Sequence, residues 1–489
     1  MHTQAAASGP VGSVSGNRGG HRRGRRSSVL GRQAIVAQYA KIFKAYDIRG
    51  IVPDELDEPV AESIGAAFAR LTGAPAVVTV HDMRTSSVPL AEAFGRGAAS
   101  QGADVISAGL GSTDMLYYAS GSLDIPGAMI TASHNPAKYN GIKLCRAGAR
   151  PVGSATGLAE LQEMASRGLP ALPASTSSPG TITQRNLMSG YADYLKTLVD
   201  LSGIRPLKVA VDAGNGMAGY TVPRVLDGLP IDIVPLYFEL DGTFPHHEAN
   251  PIDPANLADL QQAVLDSGAD IGLAFDGDAD RCFLVDERGE IVSPSVLTAL
   301  IAVRELAREP GAVIIHNLIT SRAVPEIVAE HGGKPVRTRV GHSFIKAEMA
   351  DTGAVFGGEH SGHFYFRDFW FADSGMLASL HVLAALGSQP GPLSSLLACY
   401  GRYLASGEIN SEVTDQAAAA ARVRETFAAR PGVTVDDLDG LTVAADDWWF
   451  NLRPSNTEPL LRLNVEAGDA ASLAATRDEV LRIVRDAGA

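Results

Sequence analysis

The sequence predicts an α/β fold: three related α/β domains with mixed sheets, followed by a smaller α+β domain at the C terminus. Three observations predict it. A strand–helix alternation begins near residue 76 and restarts near residues 208 and 312, giving three units of similar size. Within each unit the short β-branched runs suit buried, mainly parallel strands. Beyond residue 402 that alternation stops, and strand-like pieces lie between two helical stretches.

In the first unit, residues 76–80 form a β-branched strand, 88–101 a helix, and 104–108 and 128–130 further strands. Residues 170–179, rich in Pro, Ala, Ser and Thr, read as a loop. The second unit starts with a strand at 208–211 that runs into Asp212-Ala-Gly-Asn-Gly. That run lacks the spacing of a nucleotide-binding loop and reads as a tight strand-to-helix turn. A strand at 231–237, a helix at 254–267 and a strand at 270–275 follow. The third unit has strands at 312–315 and 335–340 and helices at 322–331 and 343–351. In the last segment, helices at 415–429 and 470–486 flank strands at 441–444, 448–452 and 460–465, an antiparallel sheet with helices on one face. The expected divisions are 41–190, 191–292, 293–402 and 403–489.

Composition limits the function. A chain of 489 residues accommodates three or four domains. Its net charge of −14 argues against nucleic-acid binding by the body of the protein. Phosphorylated small molecules remain open, because local arginine clusters decide those. Cys145, Cys282 and Cys399 are scattered and odd in number, which fits a reducing, cytoplasmic setting without a disulfide framework. No apolar run approaches the roughly 20 residues of a membrane helix. Residues 1–40 hold six arginines and no Asp, Glu or Lys. They read as a basic, disordered tail. A transit-type segment and an anion-binding tail are the alternatives.

Four short runs carry chemistry, in this order. Thr131-Ala-Ser-His-Asn-Pro136 follows a strand, the usual ligand position in open α/β sheets. Ser133 can hold a phosphoryl group covalently; His134 and Asn135 can position it. Lys143, at the next strand, is either a proton acceptor or a charge stabiliser. Asp276, Asp278 and Asp280 alternate with small residues, and carboxylates packed this closely call for a cation, Mg²⁺ by choice. An EF-hand-like loop is the rival, since Glu287 stands twelfth, but Arg281 replaces its required glycine and the flanks read as strands. Arg281 suits a bidentate phosphate contact. Gly357–His363 lies between two strand-like pieces, with Glu359, Ser361 and His363 at alternate positions on one side. Glu359 can accept from adjacent sugar hydroxyls; a plain polar hairpin tip is the alternative. Arg453, Ser455, Asn456 and Thr457 can wrap one phosphate; a type I turn around Pro454 is the alternative.

Together these runs resemble the α-D-phosphohexomutase family over residues 41–489, with bacterial phosphomannomutase/phosphoglucomutase as the nearest group. Phe43-Lys44-Ala45-Tyr46-Asp47-Ile48-Arg49-Gly50 resembles that group's opening motif. Gly341-His342-Ser343 and Lys346 resemble its third-domain segment facing the substrate. The resemblance implies four domains around a central cleft, with Tyr46 and Arg49 near the reaction centre. It implies a phosphoserine at Ser133, with one Mg²⁺ held by Ser133, Asp276, Asp278 and Asp280. Tyr46, His342, Glu359, Ser361, His363, Arg453, Ser455, Asn456 and Thr457 would bind the substrate; Ser133, His134, Lys143, Arg49 and Arg281 would carry the chemistry. Two positions depart from the family: His360 stands where Met or Gln is usual, and Ile319 where the best-known members have lysine.

The implied activity is interconversion of hexose 1-phosphate and hexose 6-phosphate, mannose first, through a hexose 1,6-bisphosphate that also serves as activator. Alternatives are a phosphoglucomutase or dual-specificity mutase, then a phosphoglucosamine mutase, a serine/Mg²⁺ phosphatase and a non-catalytic sugar-phosphate-binding protein. The expected partners are small hexose phosphates, without nucleic acid or membrane, and the expected state is a monomer or homodimer.

Overall fold

The computed structural model describes residues 37–153, 156–170, 178–455 and 460–485, with the side chain of His342 outside the description. Residues 37–42 are helical, and Tyr39 and Ile42 are buried. This helix spans the division expected at 41. Six helical residues are too few to show a helical period in sequence. The rest of the basic tail lies outside the described residues, as does most of 170–179.

Four sheets form. In the first, Asp104–Leu110, Ala76–His81 and Gly127–Ile130 run parallel, and Tyr139–Arg146 pairs antiparallel with Gly127–Ile130. The second repeats the order with Ile231–Leu236, Leu207–Asp212, Ile271–Phe275 and antiparallel Cys282–Asp286. The third repeats it with Lys334–Thr338, Val313–Asn317, Phe356–Gly358 and antiparallel Phe364–Phe366. Three units thus share one topology, in which the second neighbour of the first strand turns back as a hairpin. That hairpin carries the serine loop in one unit, the acidic loop in the next and the Glu359 loop in the third. The fourth sheet is antiparallel throughout, and its Trp448–Pro454 and Leu460–Ala467 hairpin carries Arg453. Helices Gln416–Ala428 and Ala470–Arg485 pack on it.

Local chemistry accounts for the elements. Glu58–Thr72 starts on Asp57, whose carboxylate accepts from the Val60 N–H, and ends on Gly73 in the left-handed conformation. Asp212-Ala-Gly-Asn-Gly is a turn between Leu207–Asp212 and Ala218–Val225, with Gly214 and Asn215 at positive φ. Helices Glu58–Thr72 and Ser87–Ser100 cross at two glycines. A Cβ on Gly65 would lie 2.0 Å from the Phe94 carbonyl oxygen, and one on Gly97 1.9 Å from that of Glu62. We therefore expect Gly97→Ala to lower the melting temperature, with a cost of about 1–3 kcal/mol or more from overpacking. A thermal melt checks this; an unchanged midpoint would mean the crossing yields without cost.

One continuous buried core runs through the first three units, from Val78 to Leu397, while the fourth has its own core around Phe427 and Phe450. Several contacts to the fourth unit are polar: the Arg322 N–H donates to Glu466 (3.0 Å), the Arg322 guanidinium to the Asp446 carbonyl (3.0 Å), and the Val340 N–H to Asp439 (3.2 Å). The fourth unit thus has its own core and meets the third partly through polar contacts. Among the described residues, no helix is long and apolar enough to cross a membrane.

Candidate active site

The serine and acidic loops meet face to face. Ser133 (φ 51°) and Ala279 (φ 59°) both occupy the left-handed region. Such strain, about 1–3 kcal/mol per residue, persists where surrounding contacts over-determine it. Gly277 permits the approach, since a Cβ there would sit 2.4 Å from the Ser133 carbonyl oxygen. The Ser133 hydroxyl donates to Asp276 Oδ2 at 2.7 Å, and its Oγ lies 3.2 Å from His134 Nδ1. Arg281 Nη2 is 3.5 Å from the same Oγ, Arg281 Nε is 3.2 Å from Asp276 Oδ2, and Arg281 also contacts His134 Nδ1. Arg49 donates to the Ala132 carbonyl at 3.1 Å and to the Asn135 side chain, and pairs with Asp47 at 2.8 Å.

Charge inside this site is balanced by Lys143, Arg281 and Arg49. Lys143 lies 2.7 Å from Asp278 and 2.5 Å from Asp280. Burial by itself would lower the Lys143 pKa, but the two carboxylates outweigh it and hold the ammonium above its ordinary range. Of the two roles open to Lys143 from sequence, the ion pairs favour charge stabiliser over proton acceptor. Burial, then Arg281 and Arg49, push His134 well below the usual histidine range, so its ring is neutral. Burial opposes ionisation of Asp278, yet Lys143 keeps it charged. Asp276 is pushed up to about 8 by burial and then by Asp280.

The acidic loop fits a hard divalent ion. Asp276, Asp278 and Asp280 each offer an oxygen within 4.8 Å of the others, and all three are buried. Asp278 Oδ1 and Asp280 Oδ1 are buried without hydrogen-bond partners among the described residues. Unsatisfied carboxylate oxygens converging in this way match the all-oxygen preference of Mg²⁺.

The Glu359 loop is docked beside the acidic loop. Arg281 and His363 form a backbone bridge, and the Cys282 N–H donates to the Gly362 carbonyl at 3.2 Å. Residues 360–361 turn rather than extend, so strand alternation is not what groups the polar residues. Even so, Ser361 Oγ is 3.0 Å from His363 Nδ1, and His363 lies between Glu359 (3.8 Å) and Asp280 (3.6 Å). Glu359 accepts from Asn317 (3.1 Å), the Gly341 N–H (3.2 Å) and the Tyr365 hydroxyl (2.6 Å). With about four lone-pair positions on a carboxylate, roughly one remains for a ligand. His360 points elsewhere, lining with Ile319 a cavity of about 260 Å³ between the third and fourth units.

Tyr46, Arg49, Ser133, His134, Lys143, Asp280, Arg281 and His363 line one chamber of about 210 Å³. Tyr46 also lines a neighbouring cavity of about 870 Å³, which reaches Arg453 and Arg462 of the fourth unit. Arg453 pairs with Glu408 at 3.2 Å, and the Ser455 Oγ accepts from Arg462 at 3.4 Å. Asn456, Thr457 and the His342 side chain lie outside the described residues.

The family models for phosphoglucomutase/phosphomannomutase match in chain order: α/β/α domain I at residues 40–167, domain II at 189–289, domain III at 294–403 and the C-terminal domain at 408–483. A phosphomannomutase of Salmonella montevideo is 40% identical over 451 residues, covering 90% of this chain and 98% of that one. The chain belongs to the α-D-phosphohexomutase family. It is therefore a phosphohexomutase, an isomerase of phosphomannomutase type. The phosphohexose mutases of Xanthomonas campestris pv. campestris are 42% identical over 447 residues, covering 91% of this chain and 99% of the relative. The crystal structure of a phosphoglucomutase/phosphomannomutase family protein from Burkholderia thailandensis superposes with a TM-score of 0.82 at 33% identity, covering 92% and 98% of the two chains. An Aspergillus fumigatus N-acetylphosphoglucosamine mutase, solved with GlcNAc-6P and magnesium, shares the phosphohexomutase fold at a TM-score of 0.60 and 13% identity, covering 94% and 99%.

One residue that motif reading missed organises the serine loop. The Arg84 guanidinium donates to four carbonyls: Ser133 (2.8 Å), Asn135 (2.6 Å), Pro136 (3.1 Å) and Tyr139 (3.0 Å). It pairs with buried Asp82 at 3.2 Å, and Phe244 of the second unit stacks on it at 4.9 Å. We expect Arg84→Gln to lower kcat by about 10²-fold with KM little changed, because Ser133 would be misplaced while the Arg453 segment stays intact. Steady-state kinetics check this; a rise in KM with kcat unchanged would contradict it.

Proposed function

We propose that this phosphohexomutase interconverts mannose 1-phosphate and mannose 6-phosphate through a phosphoserine at Ser133 and a hexose 1,6-bisphosphate. The observation that carries the reading is the Ser133 hydroxyl, 2.7 Å from an acidic triad and flanked by Arg49, Lys143 and Arg281. In the forward half-reaction the bond between Ser133 Oγ and phosphorus breaks as one forms from phosphorus to a sugar hydroxyl oxygen. The hydroxyl proton leaves to a base; His134 and His363 both line the chamber and are both held below the usual histidine range by burial, and His134, beside Ser133, is the candidate. Arg281, Arg49 and Lys143 offset charge on the transferring group. Asp276, Asp278 and Asp280, with an oxygen on Ser133, would hold Mg²⁺, which when bound neutralises phosphoryl charge.

Glu359, Ser361 and His363 would take the sugar, and Arg453, Ser455, Asn456 and Thr457 its other phosphate. The second half-reaction returns the remaining phosphate to Ser133. Mannose is favoured by relatives named phosphomannomutase at 39–40% identity in Salmonella and Escherichia coli. Mannose and glucose differ only at C2, so dual specificity is the second reading. A coupled assay of mannose 1-phosphate, glucose 1-phosphate and glucosamine 1-phosphate, with a trace of bisphosphate, tests it. The expected order is mannose, glucose, glucosamine; a preference for glucosamine would overturn it.

A further inference from the structure

The chamber holding Ser133 is small. At about 210 Å³ it falls below the roughly 300–1,000 Å³ of pockets that enclose a ligand. Tyr46 and Pro151 line both this chamber and the adjoining cavity of about 870 Å³. A sugar bisphosphate can present one phosphate to Ser133 in the chamber, but turning end for end requires the larger space.

The larger cavity is lined by two arginine pairs of the same construction. Arg453 and Arg462, in the fourth unit, are direct cross-strand partners. Like charges in that register repel. Here Glu408 offsets the repulsion, at 3.2 Å from Arg453 and 3.4 Å from Arg462. Arg146 and Arg150, in the first unit, are also direct cross-strand partners. They close the hairpin that begins with the Lys143 strand. Their hydrogen bonds go to carbonyls, Arg146 to Thr156 and Arg150 to Ala147, both at 3.1 Å. Among the described residues no carboxylate pairs with either. Arg339, stacked on Phe344 at 5.0 Å, adds a third-unit cation to the same cavity. In a chain of net charge −14, a repelling arginine pair with no carboxylate paired to it among the described residues, lining this cavity, suits a dianion.

We infer that Arg146 and Arg150 form a second phosphate-holding site, which retains the hexose bisphosphate while it turns. The inference rests on the proposed mutase route. It differs from the Arg453 loop in acting between the two half-reactions rather than in either.

The test uses the full-length chain with Arg146→Gln/Arg150→Gln. In phosphate-free buffer the variant should melt at or above the wild-type temperature, since a repulsion is removed. In steady state, bisphosphate released per turnover should rise about tenfold, the effect of one lost charge-assisted contact. Single-turnover transfer from phosphorylated Ser133 to hexose monophosphate should stay within about twofold. Unchanged bisphosphate release in the folded variant would overturn the inference. So would a transfer rate falling in step with turnover, which would place the pair in the reaction itself. Should the double variant not fold, Arg150→Gln alone must show raised release, and Arg150→Lys must restore retention; failure of either is equally decisive. A wild-type chain that forms no bisphosphate would instead refute the mutase route, a result distinct from unchanged release in an active enzyme.

Discussion

Ser133→Ala is expected to reduce mutase turnover by about 10⁴-fold or more, because a covalent route with no nucleophile has no partial substitute. The fold should survive. The hydroxyl makes one donated hydrogen bond to Asp276, and the loop itself is held by Arg84 through four carbonyls that the substitution leaves in place. Substrate affinity should change little, since the residues proposed to hold the sugar and its distal phosphate lie on other units. Kinetics together with a thermal melt check both halves. Substantial turnover in the alanine variant would rule out the phosphoserine.

Chelation of divalent ions should have the next largest effect, a fall of about 10²–10³-fold in turnover, the scale of losing the main charge stabiliser at a transferring phosphoryl group. Added Mg²⁺ should restore the wild type. Asp278→Asn should show a comparable loss that Mg²⁺ does not restore, because Asp278 supplies a buried oxygen with no hydrogen-bond partner among the described residues and also anchors Lys143 at 2.7 Å. Activity of the chelated wild type equal to that of the untreated enzyme would contradict the assignment of the triad.

Most of the fold was legible because its signals are local. The strand expected at 441–444 is observed at Leu441–Ala444, and the Ser133, Asp278 and Glu359 loops each sit at the turn of a hairpin. What escaped depends on contacts across long separations. Arg84 is unremarkable in sequence, and its meaning lies in carbonyls about 50 residues away. The partners of Lys143 are carboxylates 135 and 137 residues on, brought in by a different unit. The arginine pairs needed strand register, which apolar patterning sets to a face but not to a partner. The grouping of Glu359, Ser361 and His363 was expected for the wrong geometric reason: a turn, not alternation, brings them together.

The central claim is that Ser133 relays the phosphoryl group, and one measurement addresses it directly. The full chain is incubated with labelled hexose 1,6-bisphosphate and Mg²⁺, the label is located by peptide mass spectrometry, and hexose monophosphate is then added. The account predicts one labelled phosphoryl per chain, on Ser133, discharged to the sugar at least as fast as steady-state turnover. Label on another residue, or a phosphoserine that discharges more slowly than the enzyme turns over, would contradict it.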